Sequence, residues 1–293
     1  MLIDFKTILP FIFLSLSVNL YSQIDDIDKK QLYVVKKSQE AEEKNTVTRL
    51  YSLYNKGEEE KAFNNAKSFL KTAKYPANKA SATLLQAYYY NKKAILDSSI
   101  HFSNQALKYN SKISSDSLKN RLFSLGYNLM ALNYKKKGLF NVSKKWHLKG
   151  LEASQKYNET NLYYTHLHGL AGVYNALGDH VNAVKSYKDC LEYKRDEEIC
   201  LGSYINLGDI YSDLKDYDKA NYYYNQGKLL SEKNNNQQAK AIISLSLGTN
   251  YQLLGKTTEA VKMYNEAVSI ADKNELNQIA LIGRGNIGDI YID

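Results

Sequence analysis

One segment near the carboxy terminus has the glycine spacing of a nucleotide-binding loop. The run Gly283-Arg284-Gly285-Asn286-Ile287-Gly288 matches G-x-G-x-x-G literally and follows the apolar residues 279–282. That pattern holds a pyrophosphate only within a strand–turn–helix unit, with an acidic residue about 20 positions further on. Gly288 instead falls in register with Gly248, as part of a longer repeat described below. We therefore expect no nucleotide and no other cofactor.

Histidines and acidic residues are the next candidates, for a metal site or a catalytic pair. His166 and His168 flank Leu167, whereas two histidine ligands on one helix typically lie four residues apart. Asp209 and Asp213 have that spacing, but nothing near them in the sequence would raise the pKa of either carboxyl. Nucleophile-elbow and Walker motifs are absent from the sequence. The sequence thus predicts neither a metal site nor an enzyme.

The two cysteines form a third candidate pair. Cys190 and Cys200 lie on either side of a turn near Arg195, so antiparallel packing could bring their side chains together. In an oxidising compartment they could form a disulfide. The alternative is two buried thiols that act as small apolar residues.

The composition excludes several classes of protein. The chain has 293 residues, of which 44% are hydrophobic and 24% charged, a balance that excludes a wholly disordered chain. It has only 2 prolines and 15 glycines, too few for an all-β protein with frequent turns. The net charge of +8 is modest and, apart from the lysine runs 92–93 and 135–137, the basic residues of the chain are interspersed with acidic ones. We therefore expect no nucleic-acid partner.

The first 23 residues have the order of a secretory signal peptide. Lys6 precedes an apolar run at 8–20, and small Ser22 follows. The run is 13 residues long, whereas a spanning helix needs roughly 20; the alternative is an uncleaved anchor. The ending Tyr-Ser-Gln resembles export signals of Bacteroidetes. We expect signal removal, no membrane insertion afterwards, and a periplasmic or cell-surface location, with residues 24–42 as a helical or flexible lead-in.

One spacing then recurs from about residue 43 onward. Each copy begins with a small residue, with an aromatic residue three positions after it and a glycine four positions after that aromatic. Alanine or serine follows five positions after the glycine. A second aromatic lies four positions further on, and a second small residue three positions after that. The clearest copies are Ala171-Tyr174-Gly178-Ala183-Tyr187-Cys190 and Gly248-Tyr251-Gly255-Ala260-Tyr264-Ala267. The second anchors fall at positions 53, 90, 134, 174, 211, 251 and 291. The intervals between these anchors are 37–44 residues, and a repeat of this length indicates a solenoid or a similar array.

The offsets within each copy predict a pair of helices. Residues three, four and seven apart share one helix face. The central glycine ends the first helix because it adopts a left-handed conformation without penalty. Each antiparallel pair buries its apolar face only against its neighbours. The sequence therefore predicts an all-α solenoid of about six full repeats plus a partial seventh, starting near 43, 80, 124, 164, 201, 241 and 281.

These residues resemble the tetratricopeptide repeat family. The strongest matches are Leu207-Gly208-Asp209-Ile210-Tyr211 with Ala220, and Leu247-Gly248 with Tyr251, Gly255 and Ala260. The resemblance covers residues 43–293 and implies a right-handed superhelix. The family repeat of about 34 residues is shorter, and the family's proline after the second helix is mostly missing. A HEAT-type array of about 40–47 residues fits the period but not the Gly/Tyr/Ala pattern.

The resemblance also implies a concave groove, lined by the first helices, that binds a protein or peptide segment. Positions directly after the small and the aromatic anchors should face it: Tyr51, Tyr54, Tyr88, Asn91, Lys135, Lys136, His168, Asn175, Asp209, Ser212, Asp213, Gln252 and Asp289. This set is aromatic and basic at its amino-terminal end and acidic at its carboxy-terminal end. Such a groove would attract and orient a partner segment whose acidic end meets the basic residues and whose basic end meets the acidic ones. Some family members grip the C-terminal carboxylate of a partner with basic and amide side chains of successive first helices. Here Asp209 places an acid where such a site has a base, which argues against a carboxylate clamp of that kind.

The function expected from the sequence is a non-enzymatic binding scaffold. The alternative is the periplasmic sensor part of a longer signalling protein, with a histidine kinase or DNA-binding output domain beyond residue 293. This alternative arises because residues 288–292 read as the start of a repeat that lacks its second helix.

Overall fold

The computed structural model describes residues 39–292. The predicted signal peptide at 1–23 and most of the predicted lead-in, residues 24–38, lie outside the described residues. Residues 39–42 of the lead-in belong to the first helix.

Within residues 39–292 the chain forms thirteen α-helices and no strand. They are α1 Gln39–Asn55, α2 Glu59–Phe69, α3 Pro76–Lys92, α4 Leu96–Asn110, α5 Asp116–Lys136, α6 Phe140–Lys156, α7 Thr160–Ala176, α8 His180–Glu192, α9 Glu197–Asp213, α10 Tyr217–Lys233, α11 Gln237–Leu253, α12 Thr257–Lys273 and α13 Asn277–Ile292. Short connections join them, so the described chain is a series of helix pairs. This confirms the predicted all-α solenoid.

The odd-numbered helices are the first helices of the repeats. Six of the seven begin four residues before the repeat start that the spacing predicts, and α5 begins eight residues before it. The anchors therefore lie well inside each helix rather than at its beginning.

A left-handed residue ends the first helix in each connection of this kind. The backbone angle φ is +70° to +84° at the glycines in this position, Gly57, Gly138, Gly178 and Gly255. Ala94 and Lys215 occupy the same register with φ of +57° and +60°. The predicted role of the central glycine is thus confirmed, and two repeats adopt the same turn despite a Cβ atom.

Polar side chains cap the first helices of the later repeats. Asp196 Oδ1 accepts hydrogen bonds from the backbone N–H of Glu198 at 3.1 Å and of Ile199 at 3.0 Å. Asn236 Oδ1 accepts one from Ala239 N–H at 3.0 Å. These bonds satisfy backbone donors that the helix itself leaves unpaired.

The described residues divide into two compact units, 39–178 with α1–α7 and 179–292 with α8–α13. The core of the amino-terminal unit includes Leu84, Leu85, Leu125 and Leu129, each at most 2% exposed. The carboxy-terminal unit has cores that include Tyr264 around α12 and Ile243 around α11.

Within each unit the first helices also contact one another. In the amino-terminal unit α1 contacts α3, α3 contacts α5 and α5 contacts α7. In the carboxy-terminal unit α9 contacts α11 and α11 contacts α13. We call the surface that these helices form in each unit its first-helix surface. It carries the candidate residues.

Candidate functional site

In the carboxy-terminal unit, tyrosines of the second helices reach the first-helix surface beneath glycines. A Cβ atom at Gly208 would lie 2.3 Å from the ring of Tyr224, which therefore fits only because that residue is glycine. The Tyr224 hydroxyl then donates a hydrogen bond to Asp209 Oδ1 at 2.7 Å. The predicted glycine–tyrosine anchors thus hold a phenol directly behind a candidate binding residue.

The next repeat has the same arrangement with neutral partners. Gly248 lies against the ring of Tyr264, whose atoms would be 2.5 Å from a Cβ atom. The Tyr264 hydroxyl donates to Gln252 Oε1 at 2.8 Å and lies 3.2 Å from Thr249 Oγ1. Thr249 takes the place that Asp209 holds one repeat earlier, so Asp209 adds a carboxyl at a position where this repeat has a hydroxyl.

Asp209 has an unusual protonation equilibrium. Burial raises the pKa of its carboxyl to about 7, against the opposing effect of the Tyr224 hydrogen bond, and the neighbouring Asp213 raises it further. This corrects the sequence-based expectation that nothing nearby would raise the pKa of either carboxyl. The expectation failed because the burial comes from packing between helices, which the local sequence does not reveal.

A chain of side-chain hydrogen bonds links adjacent helices next to this carboxyl. Ser212 Oγ donates to Asn250 Oδ1 at 2.6 Å, and Asn250 Nδ2 donates to Asn221 Oδ1 at 3.1 Å. The bonds join α9, α11 and α10, so they fix the relative position of neighbouring repeats. Sequence reasoning missed Asn250, although a buried asparagine directly before an aromatic anchor was a usable signal.

The amino-terminal unit has the same linkage in the same register. Asn91 Nδ2 donates to Asn133 Oδ1 at 2.7 Å, and Asn133 Nδ2 donates to Ser99 Oγ at 2.8 Å. Lys136 Nζ donates to Asn91, to its carbonyl oxygen at 3.1 Å and to Oδ1 at 2.9 Å. Asn91 and Lys136 therefore hold the repeats together in addition to lying near the surface.

Several candidates of the amino-terminal unit are buried rather than exposed. The exposed fractions are 3% for Tyr51, 6% for Tyr54, 3% for Tyr88, 6% for Asn91 and 2% for His168. The Tyr51 hydroxyl donates to the carbonyl oxygen of Ser81 in the next first helix, at 2.7 Å. The prediction that these five line an open groove is corrected, because neighbouring first helices pack closely enough to cover them.

The remaining candidates are accessible to different degrees. Lys135 and Asn175 are partly buried in the amino-terminal unit, and Lys136 is exposed. Burial lowers the pKa of Lys135 to about 8. Although the Lys136 side chain as a whole is exposed, its Nζ is partly buried against Asn91, which lowers its pKa as well. In the carboxy-terminal unit Asp213 is exposed, and the others are partly buried: Asp209, Ser212, Gln252 and Asp289. The accessible candidates thus cluster most densely in the carboxy-terminal unit.

A pair of buried histidines joins α6 and α7 in the amino-terminal unit. His166 Nε2 lies 3.1 Å from the carbonyl oxygen of Ser124 and 3.0 Å from its hydroxyl oxygen. In the tautomer that carries the proton on Nε2, this nitrogen donates to the carbonyl oxygen. His166 Nδ1 is then the acceptor for His147 Nδ1–H, 3.2 Å away. Burial lowers the pKa of both imidazoles, that of His166 to about 4. The pair is neutral and structural.

Cys190 and Cys200 are not bridged to each other in the structure, so the disulfide that the sequence allows is not formed. Both side chains are buried, and burial raises the pKa of both thiols. This corresponds to the second alternative, two thiols that pack as small apolar residues.

Metal-binding clusters and membrane-spanning helices are both absent from the described part of the chain. No group of three or more His, Cys, Asp or Glu residues between positions 39 and 292 is arranged to hold a metal ion. Over the same range, no helix combines the length and the apolar character needed to cross a membrane.

Family models identify the repeats. Residues 200–273 match one tetratricopeptide repeat model, and residues 167–197 match another. Residues 167–197 and 200–273 are thus tetratricopeptide repeats. The matched range includes Asp209, Ser212, Asn250 and Gln252, so these residues lie on first helices of recognised repeats. No curated protein matches the chain.

Solved structures share the fold at low sequence identity. A Rap protein in complex with Competence and Sporulation Factor is 16% identical, with a TM-score of 0.69 over 98% of this chain and 84% of the other. The apo quorum sensor NprR from B. thuringiensis is 14% identical, with a TM-score of 0.70 over 95% and 80%. Apo RapI is 15% identical, with a TM-score of 0.61 over 84% and 95%. At such identities these likenesses show the fold alone.

Proposed function

We propose that the chain is a non-enzymatic scaffold that binds a protein or peptide segment on its first-helix surface, and that Asp209 and Asp213 receive a basic group of that segment. The observation that carries this proposal is the carboxyl of Asp209. It is partly buried, its one hydrogen-bond partner among the described residues is the neutral Tyr224 hydroxyl, and its pKa is about 7.

A cation on the ligand would relieve the unfavourable state of this carboxyl. Removing a carboxylate from water is costly unless an opposite charge or several donors replace the lost hydration. An ammonium or guanidinium group placed between Asp209 and Asp213 would form charge-assisted hydrogen bonds and lower the pKa of Asp209. The carboxyl pair is therefore better suited to a bound basic side chain than to an empty surface.

Neighbouring polar groups suit the backbone of such a segment. Ser212 lies on α9, and Asn250 and Gln252 lie on α11. Ser212 is hydrogen-bonded to Asn250, and Gln252 is hydrogen-bonded to Tyr264. Fixed amide and hydroxyl groups beside a charge are typical of ligand sites, in which a few polar groups set the orientation. The Rap protein of similar fold is seen in complex with Competence and Sporulation Factor, which also supports a binding role for this fold.

The proposal can be tested with a library of displayed peptides selected on the purified chain. We expect the selected peptides to be enriched in lysine or arginine and to bind more tightly at pH 8 than at pH 6, because Asp209 loses its proton over that range. The double variant Asp209→Asn/Asp213→Asn should bind them at least about tenfold more weakly, since charge-assisted bonds contribute about 1.5–3 kcal/mol each.

Asp218→Asn serves as the matched control, because Asp218 is an exposed acid in the first turn of α10. It changes the net charge by one without touching the proposed site, so peptide affinity should stay within about twofold of the unmodified chain. Selected peptides without basic residues, or equal binding by the double variant, would contradict the assignment of Asp209 and Asp213.

A sensor role in a longer signalling protein is the alternative function. It is favoured by one structural likeness, to a signal transduction ATPase with a tetratricopeptide repeat sensor, at 15% identity and a TM-score of 0.64; this chain spans 42% of that protein's length. Coding sequence read past residue 293 distinguishes the two functions, because a sensor requires an output domain in frame.

Amino-terminal sequencing of the chain from an exporting cell tests the proposed cleavage after residue 23.

A further inference from the structure

Two neighbouring turns of the amino-terminal unit share a four-residue pattern. The turn from α3 to α4 reads Lys-Lys-Ala-Ile at positions 92–95, and the turn from α5 to α6 reads Lys-Lys-Gly-Leu at positions 136–139. Each has two lysines, a small residue and an aliphatic residue in this order. We call these eight residues the lysine–aliphatic face. The corresponding turns of the other repeats have a different order: Asn55-Lys56-Gly57-Glu58, Ala176-Leu177-Gly178-Asp179, Asp213-Leu214-Lys215-Asp216 and Leu253-Leu254-Gly255-Lys256.

Contacts between the repeats hold the two turns side by side. The small residue is left-handed in both turns, with φ of +57° in the first and +73° in the second. Lys136 Nζ donates a hydrogen bond to Asn91 Oδ1 at 2.9 Å, and Lys137 forms an ion pair with Asp97. Asn91 and Asp97 lie on the two helices that the first turn connects, so the lysine–aliphatic face is one continuous surface.

The aliphatic residues of the face are exposed to solvent. Ile95 and Leu139 are each 48% exposed. By contrast, no large hydrophobic residue is exposed in the connections at the opposite edge of this unit, residues 70–75, 111–115 and 157–159. Because exposure forfeits the free energy that burial of these side chains would give, their restriction to one edge indicates contact with another molecule.

The lysines of the face carry more positive charge than the nearby acids neutralise. All four are exposed. Ion pairs with described residues engage only Lys92, which pairs with Glu59, and Lys137, which pairs with Asp97. Cations are favourable at the carboxy-terminal end of a helix, but the fold does not require them there, because the last turns of α7, α9 and α11 contain no basic residue. The face is therefore suited to an anionic partner.

We propose that the lysine–aliphatic face docks on the surface of a lipid bilayer that contains anionic phospholipids. The lysine ammonium groups lie at the level of the head-group phosphates, and Ile95 and Leu139 enter the apolar layer directly beneath. Lysines next to exposed aliphatic residues suit this order, because the lysine stem can lie along an apolar surface while the ammonium group stays at the polar level.

The geometry favours a lipid surface over a peptide. The face consists of two turns rather than a cleft, and its only polar side chains are lysines. A peptide site instead has a few polar groups in fixed positions, such as the hydrogen-bonded Ser212 and Asn250. The lysine–aliphatic face involves neither Asp209 nor Asp213, so this inference goes beyond the proposed function. It also requires no membrane-spanning helix.

Flotation of the full chain with lipid vesicles tests the proposal. We expect saturable binding to vesicles of phosphatidylcholine with about 30% phosphatidylglycerol. The binding should weaken when the salt concentration is raised from about 0.1 M to 0.5 M, because the lysine charges are then screened. Vesicles of phosphatidylcholine alone measure the background, including any binding by the apolar residues 8–20.

Two double variants test the location. Lys93→Gln/Lys137→Gln should weaken binding at least about tenfold, because each lysine near an anionic surface raises the affinity roughly fivefold. Ile95→Ser/Leu139→Ser should also weaken it at least about tenfold, because two apolar side chains no longer enter the bilayer. The helical circular dichroism of both variants should match that of the unmodified chain.

Matched controls use residues away from the face. Lys71→Gln/Lys112→Gln changes two exposed lysines at the opposite edge of the same unit, and Leu214→Ser changes a leucine of the other unit that is 52% exposed. Each control should bind within about twofold of the unmodified chain, since surface residues away from a contact act independently of it. Equal loss in the lysine control, or unchanged binding by Ile95→Ser/Leu139→Ser, would overturn the proposal.

An acidic protein segment is the competing partner. If a poly-glutamate peptide binds as tightly as the anionic vesicles and loses affinity in both double variants, the face takes a protein and our proposal is wrong. Absence of binding above background at about 1 mM anionic lipid would also overturn it, because even a single acyl anchor binds detectably at that concentration.

Discussion

Asp209 illustrates how a repeat scaffold places a carboxyl with a raised pKa at one position. Thr249 occupies the equivalent position in the next repeat and is contacted by the equivalent tyrosine, but it carries a neutral hydroxyl. The difference of one side chain gives the carboxy-terminal unit a carboxyl whose pKa is about 7. Such a group lowers the stability of the folded chain at neutral pH, which is typical of residues kept for binding rather than for packing.

The first prediction concerns the free energy of unfolding of Asp209→Asn. The folded state raises the carboxyl pKa from 3.8 to about 7, so the unfolded chain releases this proton first and stability falls as pH rises from about 4 to 7. Asparagine removes that penalty and retains an oxygen acceptor for Tyr224. The shift corresponds to about 4 kcal/mol at pH 8. Because Asp209 is partly exposed, urea unfolding should show the variant to be more stable by about half of that amount.

At pH 4 the same variant should differ little from the unmodified chain, because Asp209 is then protonated in the folded state. Asp218→Asn is the control and should show no such dependence on pH. Equal stability of Asp209→Asn and the unmodified chain at pH 8 would contradict the partly buried carboxyl with a raised pKa on which the proposed function depends.

The second prediction concerns the buried histidine pair. Folding lowers the pKa of His166 from 6.5 to about 4, so the unfolded chain binds more protons over this interval and stability falls as pH decreases from 6.5 to 4. Between pH 8 and pH 4 the loss from His166 should be about 3 kcal/mol. Lys135 and His168, which lie close to His147, lower the pKa of that imidazole further and add to the effect.

His166→Gln keeps a donor for the Ser124 carbonyl and removes the titrating group. Urea unfolding between pH 8 and pH 4 should therefore show a smaller loss of stability in this variant than in the unmodified chain. The exposed His101→Gln should leave the pH dependence unchanged. Identical profiles for His166→Gln and the unmodified chain would show that this pair does not control acid stability.

Residue-scale features were predicted unevenly from the sequence. The anchors Gly248 and Tyr264 were identified from spacing alone, because the constraint acts within one helix pair. The exposure of Tyr51 and Tyr88 was predicted wrongly, because it depends on how closely successive first helices pack. The pKa of Asp209 was missed for the same reason, as burial between repeats is a property of several helices together.

At the scale of elements, the glycine–tyrosine contact joins the two helices of a repeat. The Tyr224 ring occupies the position that a Cβ atom at Gly208 would need, at 2.3 Å. A methyl group at this place must displace the ring or separate α9 from α10. Overpacking of this kind typically costs about 1–3 kcal/mol.

The third prediction follows from comparing two glycines within helices of the same unit. Gly208→Ala should lower the free energy of unfolding by about 2 kcal/mol and weaken binding at Asp209, because the Tyr224 hydroxyl is displaced. Gly285→Ala meets no atom within 4 Å and should raise stability by about 0.5–1 kcal/mol, because alanine favours the helix. Thermal and urea unfolding measure both, and a stabilised Gly208→Ala would refute the packing argument.

The elements themselves were largely predictable. A recurring small–aromatic–glycine spacing specifies helix, turn and helix without reference to distant residues, and the structure places left-handed residues where the spacing requires them. Ala94 and Lys215 adopt the same turn without glycine, so the fold tolerates local strain once neighbouring repeats supply the packing. The asparagine links at Asn133 and Asn250 were not predicted, since they connect consecutive repeats.

At the scale of the whole molecule, stability is distributed over local cores. The amino-terminal unit has one extended core and the carboxy-terminal unit has two smaller ones. Within each unit a helix packs mainly on helices one or two places away in the chain. In such arrays stability is close to a sum of repeat and nearest-neighbour contributions, so damage remains near its origin.

The last prediction uses reciprocal core substitutions in the two units. Leu129 in α5 and Leu245 in α11 are both 0% exposed, so Leu129→Ala and Leu245→Ala should each cost about 2–5 kcal/mol. Hydrogen exchange followed by mass spectrometry should show the opening free energy falling by that amount only in the unit that carries the substitution. In the other unit it should stay within about 0.5 kcal/mol. If either substitution lowers protection equally in residues 39–178 and 179–292, the chain unfolds as one cooperative body and the distribution of stability inferred from its separate cores is wrong.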